Sequence, residues 1–434
     1  MSESFLHYVW LYQYFLKTDL CTTKGEPLHI FTTGTHNTNA GPDFLNARIK
    51  IGEVQWVGNV EIHIDASGWL LHKHDQDAAY ENVILHVVWQ NDKPVKRMDG
   101  SAIPTLELKQ RVNEKLLIQY KNLINSPECI PCYSHLASIS ELTRLSTLDS
   151  MLTTRLQAKA NDVLNILKRN KGDWEETCYQ LLARNFGFKV NAEPFFQLAQ
   201  AVPYKLVMKH ADKLVQIEAL LFGAAGFMDE KREDEYYNLL QREFNLLRTK
   251  YSLLERSLHK TQWKFLRLRP ANFPTVRLAQ FASLLFYQKN IFSQILTKET
   301  FVNLKWLFNN TTSSYWLTHY NFDKPVDHVP GLGESSMENI LINTVVPLYA
   351  AYALWKDEMI YMDRAIDTLQ HIPAESNRIT RQWDALGIKS KTAFDSQALI
   401  ELHNNFCSKR RCLDCNIGAY LLKPARHDHT GSGS

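Results

Sequence analysis

The spacing of apolar residues changes once along this chain of 434 residues, near position 110, and that change limits the fold more than any other feature. Before it, apolar positions fall in short runs separated by turn residues. After it, they recur every three to four residues over long stretches. The first pattern suits strands and the second suits amphipathic helices. In the first part, Phe5 to Leu16 reads as a short aromatic helix. Strands are expected over 28–32, 44–51, 54–64, 83–89 and 103–108, with Gly52 and Glu53 as the tight turn of a hairpin. The run VILHVVW at 83–89 is expected to be buried on both faces. In the second part, helices are expected over 116–124, 141–167, 174–185, 211–223, 233–253, 278–296, 336–355 and 396–406. Ser140 is placed to cap the helix beginning at Glu141, and Ser335 with Glu338 has capping-box spacing. The fold class is therefore α+β: a small mixed-sheet domain over 1–125, then a helical domain over 126–426. Residues 427–434 (HDHTGSGS) read as a disordered tail or a cloning scar.

Composition narrows the possibilities only a little. A hydrophobic content of 45% is enough for a large core, and a formal net charge of +3 leaves the whole molecule near balance. Any nucleic-acid surface must then be a local patch. No apolar run approaches the ~20 residues that a membrane helix needs. The stretch from Ile340 to Trp355 is too short and reads as a buried helix. Met1 to Asp19 has no basic lead, and His7, Gln13 and Lys17 interrupt its apolar residues, so no secretory leader is expected there. The expectation is a cytoplasmic protein with no membrane partner.

The segment 41–89 holds the most informative residues. Asp43 opens one strand of the hairpin and Glu61 lies within the other. Adjacent antiparallel strands can bring two such carboxylates to one face, where they repel each other unless a hard divalent cation takes their oxygens. His63 follows Glu61 by two residues and so projects from the same face of the strand. The alternative is structural: Asp43 capping a turn, Glu61 paired with Arg48 across the hairpin, and histidines satisfied in a core.

The sequence GPDF, then a hairpin, then VEIH resembles the core of the PD-(D/E)XK nuclease superfamily. The whole chain, from AGPDF to CLDCNIG near its end, looks like a bacterial family known only as a domain of unknown function. The nuclease resemblance implies a restriction-endonuclease-like sheet, Asp43 and Glu61 as ligands of Mg²⁺ or Mn²⁺, and phosphodiester hydrolysis in DNA or RNA. His63 stands where the superfamily usually has a lysine. A neutral imidazole can ligate a metal or accept a proton, whereas an ammonium group supplies fixed charge, so the lysine-based mechanism does not carry over. The stretch 69–75 (WLLHKHD) resembles the histidine-bearing turn of mismatch-repair-type nucleases, which implies that His72 or His74 assists, with Asp77 nearby. His63 and His74 are thus the candidate catalytic groups.

Seven cysteines are present. Cys129 and Cys132 form a C-x-x-C, and Cys407, Cys412 and Cys415 form C-x4-C-x2-C. The two-residue spacing lets paired thiolates meet one metal. Cys129, Cys132, Cys412 and Cys415 would complete a structural zinc site, or hold an iron–sulfur cluster, with Cys407 a spare. The other reading is a set of separate thiols. A further stretch, Arg242 to Arg277, carries nine basic residues against two acids, with Trp263, Phe265 and Phe273 interleaved. Lys264, Arg267, Arg269 and Arg277 are its candidate nucleic-acid contacts. The plainer version is a solvated basic face over buried aromatics. Two functions compete: a metal-dependent nuclease, and an inactive nucleic-acid-binding or assembly protein with structural metal sites. Protein partners are not indicated.

Overall fold

The computed structural model describes residues 1–298 and 300–423, so the tail at 427–434 lies outside the described residues. The chain divides into two compact units, one of residues 1–148 with 402 onward and one of 149–401.

The first unit is built on a mixed sheet. Helix α1 (Glu3–Leu11) precedes β1 (Leu28–Thr32), β2 (Thr35–His36), β3 (Phe44–Ile51) and β4 (Val54–Asp65). Then come α2 (Gly68–Leu71), β5 (Val83–Gln90), β6 (Thr105–Glu107), α3 (Glu114–Ile124) and α4 (Glu141–Arg169), which contains the first boundary. The strand order is β1-β3-β4-β5-β6, with β2 also on β3. The pairs β1/β3 and β3/β4 are antiparallel, whereas β4/β5 and β5/β6 are parallel. Parallel neighbours need a crossover. The β4–β5 crossover carries α2 and the turns after it, and it is this segment that returns His72 and His74 to the sheet.

Most expected strands form where the apolar runs placed them. Val83 to Val88 are all buried, as a strand covered on both faces requires. Trp69 packs with Val83, Val95 and Ile103, and its Nε1 donates to the Lys96 carbonyl at 3.0 Å, fixing α2 against the sheet. The aromatic helix expected to reach Leu16 stops at Leu11, and Gln13 follows with φ of +51°. Ser140 does cap α4, accepting the Thr143 N–H at 3.1 Å.

The second unit is helical. It contains α5 (Trp174–Phe186), α6 (Ala192–Ala201), α7 (Tyr204–Met208), α8 (Leu214–Ala224), α9 (Glu235–Tyr251) and α10 (Pro274–Tyr287), followed by further helices to Glu401. Two expectations are corrected here. The helix foreseen over 278–296 is two helices, broken before Ile291, where Asn290 takes a φ of +52° that does not continue a right-handed helix. The helix foreseen over 336–355 starts earlier, with Gly333 as its N-cap, so Ser335 lies inside the first turn and makes no capping box. That helix widens to a π turn at Leu341–Val345 just before Pro347, whose missing N–H cannot continue the regular ladder. Among the described residues, no helix is long and apolar enough to cross a membrane.

Candidate metal centre

The β3–β4 register sets Phe44 opposite Val60, and an irregularity follows between Phe44 and Ala47. Asp43 and Glu61 therefore face each other at the end of the hairpin. Each carboxylate is held by the other's strand: Glu61 Oε2 accepts the Asp43 N–H at 3.1 Å, and Asp43 Oδ2 accepts the Ile62 N–H at 2.9 Å. These bonds fix both groups without neutralising them. Arg48 pairs with Val57 in the register, away from Glu61, so the structural salt bridge considered for the hairpin does not form.

Imidazoles supply the rest of the wall. His74 Nε2 lies 3.2 Å from Glu61 Oε1, His63 Nε2 lies 3.8 Å from the same oxygen, and His7 Nε2 lies 3.3 Å from Asp43 Oδ2. His63 is the hub: its Nδ1 meets His86 Nε2 at 2.9 Å and its Nε2 meets His72 Nδ1 at 3.1 Å. Among the described residues, the trio with potential ligand atoms all within 4.8 Å of one another is His63, His72 and His74. Sequence and backbone explain the convergence. His63 sits two residues beyond Glu61 on β4. His72 ends α2, Lys73 turns the chain at φ of +61°, and His74 starts a short turn stacked on Tyr80 with ring centroids 3.7 Å apart. Gly68 is needed beneath this arrangement, because a Cβ there would lie 2.7 Å from the His63 ring.

Burial sets the charge states. Glu61 is 5% exposed, and its carboxyl is raised above the ordinary range by burial, only partly offset by the His74 contact. Burial, then the neighbouring imidazoles His86, His72 and His74, push His63 down to about 2. Burial, then His74, pushes His86 down to about 3. These rings are neutral at physiological pH, the form that ligates a metal.

Two carboxylate–imidazole pairs, His7 with Asp43 and His74 with Glu61, have the spacing of metal ligands, while among the described residues the trio of donor atoms within 4.8 Å of one another is purely imidazole, from His63, His72 and His74. His7 Nε2 and His74 Nε2 are buried and close to carboxylate oxygens, yet neither makes a hydrogen bond of good geometry. Two ligands of one ion at 2.0–2.1 Å lie about 3.0–3.4 Å apart, which is the spacing of these pairs. Mixed oxygen and nitrogen donors suit Mn²⁺ better than Mg²⁺, since imidazole is a poor partner for the latter. Of the residues singled out in the sequence, Asp43, Glu61, His63 and His74 come together, with His72. Asp77 does not join them; it caps the next turn through the Ala79 N–H at 2.9 Å. His7 and His86 were missed. The histidine inside VILHVVW was a readable signal, because a buried strand rarely carries one without a partner.

The cysteines behave differently from the expected set. Cys132, Cys407, Cys412 and Cys415 are buried and Cys129 is exposed, all as free thiols. Arg410 joins the two segments, donating to the carbonyls of Ser126 and Glu128, each at 2.8 Å. Burial, then the thiols of Cys415 and Cys412, push Cys132 up to about 12, and burial, then Cys415, pushes Cys412 up to about 11. Cys415 is raised by burial and partly relieved by backbone N–H groups of Gly418 and Ile417 directed at its sulfur. In the second unit, Lys264, Arg267 and Arg269 are exposed, whereas Arg277 is buried. Trp263 is buried as well and donates to the Ala225 carbonyl at 2.8 Å, so its ring belongs to the core.

Fold and site together define a class: a mixed-sheet unit with a buried carboxylate–imidazole centre, in a chain that also carries a large helical unit. The chain belongs to the family described as Protein of unknown function (DUF2851), whose model matches residues 3–378. That span includes every residue of the carboxylate–imidazole centre and Cys132, and it ends before Cys407. No curated protein and no solved structure matches the chain. The family description names no activity, and no comparison supports the nuclease resemblance.

Proposed function

We propose that the first unit is a divalent-metal centre that hydrolyses phosphodiester bonds in DNA or RNA. The observation that carries this reading is the convergence of Asp43 and Glu61, from neighbouring strands, with imidazoles 3.2–3.3 Å from their oxygens. Asp43 and Glu61 would hold the ion. When bound, a Mn²⁺ or Mg²⁺ ion polarises a phosphate oxygen and lowers the pKa of water. His74, whose Nε2 lies beside Glu61 Oε1, is the group placed to take the water proton. His63, kept neutral by burial, orients the other rings through its two hydrogen bonds and carries no charge to a developing oxyanion. In this reading the exposed Lys264, Arg267 and Arg269 neutralise phosphates of the nucleic acid. His63 in the usual lysine position favours a second reading, a nucleic-acid-binding or assembly protein that uses the same fold without turnover.

The two are separated by cleavage assays on single- and double-stranded DNA and RNA with Mn²⁺. Asp43→Asn keeps an acceptor for the Ile62 N–H while removing the charge. A loss of at least about 100-fold is expected if Asp43 holds the ion. Activity unchanged by the substitution removes the hydrolase reading, and salt-dependent binding without any cleavage favours the second.

We also propose a structural metal site from Cys132, Cys407, Cys412 and Cys415, in which Cys407 takes the place expected for Cys129. Four buried thiols from separated segments, with N–H groups aimed at one sulfur, support it. A single zinc ion would draw every sulfur pair to about 3.8 Å. Four such thiolates would serve either a zinc ion or an iron–sulfur cluster.

A further inference from the structure

A second site lies in the helical unit and does not rest on the metal centre. Arg277, in the first turn of α10, is 6% exposed, yet it lines a cavity of about 330 Å³. Its guanidinium meets only neutral partners. Nη1 donates to Gln280 Oε1 at 2.8 Å, and Nη2 donates to Asn272 Oδ1 at 2.5 Å and Ser336 Oγ at 3.2 Å. Nε has no acceptor. The cation lies 4.5 Å from the centre of the Phe188 ring. Burial alone pushes Arg277 down to about 10, so it stays charged at neutral pH. No carboxylate lines the cavity; its polar walls are Asn191, Asn272, Ser335, Ser336 and Asn339. Glu334, at the start of the facing helix, points its charge to Lys305 instead.

A buried cation without a counter-charge is costly unless something anionic completes it. The guanidinium and the surrounding hydroxyl and amide groups offer donors from several directions, which suits the three terminal oxygens of a phosphate. The volume exceeds that of inorganic phosphate, and Phe186, Phe188 and Val190 form an apolar wall beside the polar one. The wall is fixed from behind. Asn185 Nδ2 donates to the Asn343 carbonyl at 3.2 Å and to Thr344 Oγ1 at 2.6 Å, both in the π turn that follows the cavity-lining Asn339. Such widened turns recur at functional sites.

The geometry points to a binding site for a nucleoside 5′-phosphate, with the phosphate on Arg277 and Ser336 and the base against the phenylalanines. The shared chemistry is a phosphate monoester next to a flat ring. It has two sources, a free mononucleotide or the 5′-phosphorylated end of a nucleic acid.

Calorimetric titration of the full-length chain with 5′-AMP, adenosine, inorganic phosphate, and a short oligonucleotide with and without a 5′-phosphate tests this. AMP or the phosphorylated oligonucleotide should bind at least about tenfold more tightly than its unphosphorylated counterpart, and which of the two does so identifies the source. Arg277→Met should reduce that binding at least about tenfold, with Arg277→Lys retaining part of it. Equal binding of phosphorylated and unphosphorylated probes overturns the inference. So does unchanged affinity in Arg277→Met, or no binding of any phosphorylated probe at millimolar concentration. Should Arg277→Met fail to fold by circular dichroism, Arg277→Lys and Ser336→Ala decide the matter, and unchanged affinity in both overturns it.

Discussion

Glu218 offers the sharpest test of how burial controls charge in the helical unit. It lies on α8 with no exposure, its Oε2 accepts from the Tyr236 hydroxyl, and its Oε1 finds no hydrogen bond. Burial raises its carboxyl from 4.5 to about 7, against the opposing pull of the Tyr236 hydroxyl. The folded value lies above the unfolded one, so the stabilising contribution is complete below pH 4.5 and is lost as pH rises through 7. The gap from 4.5 to about 7 corresponds to about 3 kcal/mol. Glu218→Gln keeps an acceptor for Tyr236 and cannot ionise. The variant should exceed the parent by less than about 1 kcal/mol at pH 5 and by about 3 kcal/mol at pH 8.5, the latter about 6–12 °C in Tm. Urea unfolding followed by circular dichroism at pH 5, 7 and 8.5 reads this directly. A parent–variant difference that stays constant across those three pH values would refute the argument that desolvation governs this group.

Two further outcomes concern the first unit. Trp69→Ala should cost about 3–5 kcal/mol, because it opens the core under α2 and frees the Lys96 carbonyl. It should also weaken Mn²⁺ binding by calorimetry, although Trp69 is no ligand, because His72 and His74 lose their support; unaltered affinity would show that the crossover is held by other contacts. Cys407→Ser should strip the metal or iron from the purified protein, measured as metal per chain and by visible absorbance, and Cys129→Ser should leave it in place. The reverse pattern would return Cys129 to the ligand set.

How much of this could be read from the sequence depends on the range of the information. The strands and the hairpin were legible because their signals are local: alternation, β-branching and a two-residue turn. Asp43, Glu61 and His63 were legible for the same reason, since a hairpin fixes which residues share a face. His86 reaches the site through the parallel β4–β5 register, which sets Glu61 beside it, and no local pattern announces that pairing. His7 arrives from α1 by packing alone. The choice between Cys129 and Cys407 was equally out of reach, because a C-x-x-C spacing favours its two members regardless of which sulfur is turned inward. Counting charges in Arg242–Arg277 joined Arg277 to Lys264, Arg267 and Arg269, but α10 buries the first and the loop before it exposes the rest. The break before Ile291 escaped notice because the apolar spacing continues across it; only the Asn290 backbone reveals it.

Under the proposed nuclease function, the histidine at position 63 changes the charge balance of the first site more than its shape. The ion-pair partners of Asp43 and Glu61 are all histidines. A lysine at position 63 would offset one carboxylate by itself, since an ammonium beside two carboxylates stays protonated. His63, pushed down to about 2 by burial, offsets neither. Two carboxylates clasped by backbone N–H groups, with the neutral ring of His63 beside them, favour the uptake of a proton or a cation. Glu61 already moves toward the first course, its carboxyl raised by burial. Under the proposed function, a divalent ion on the carboxylates would offset both charges, which a single proton cannot. Under the proposed nuclease function, a histidine instead of a lysine at position 63 increases the demand for a metal, and metal occupancy becomes the condition on which the proposed chemistry depends.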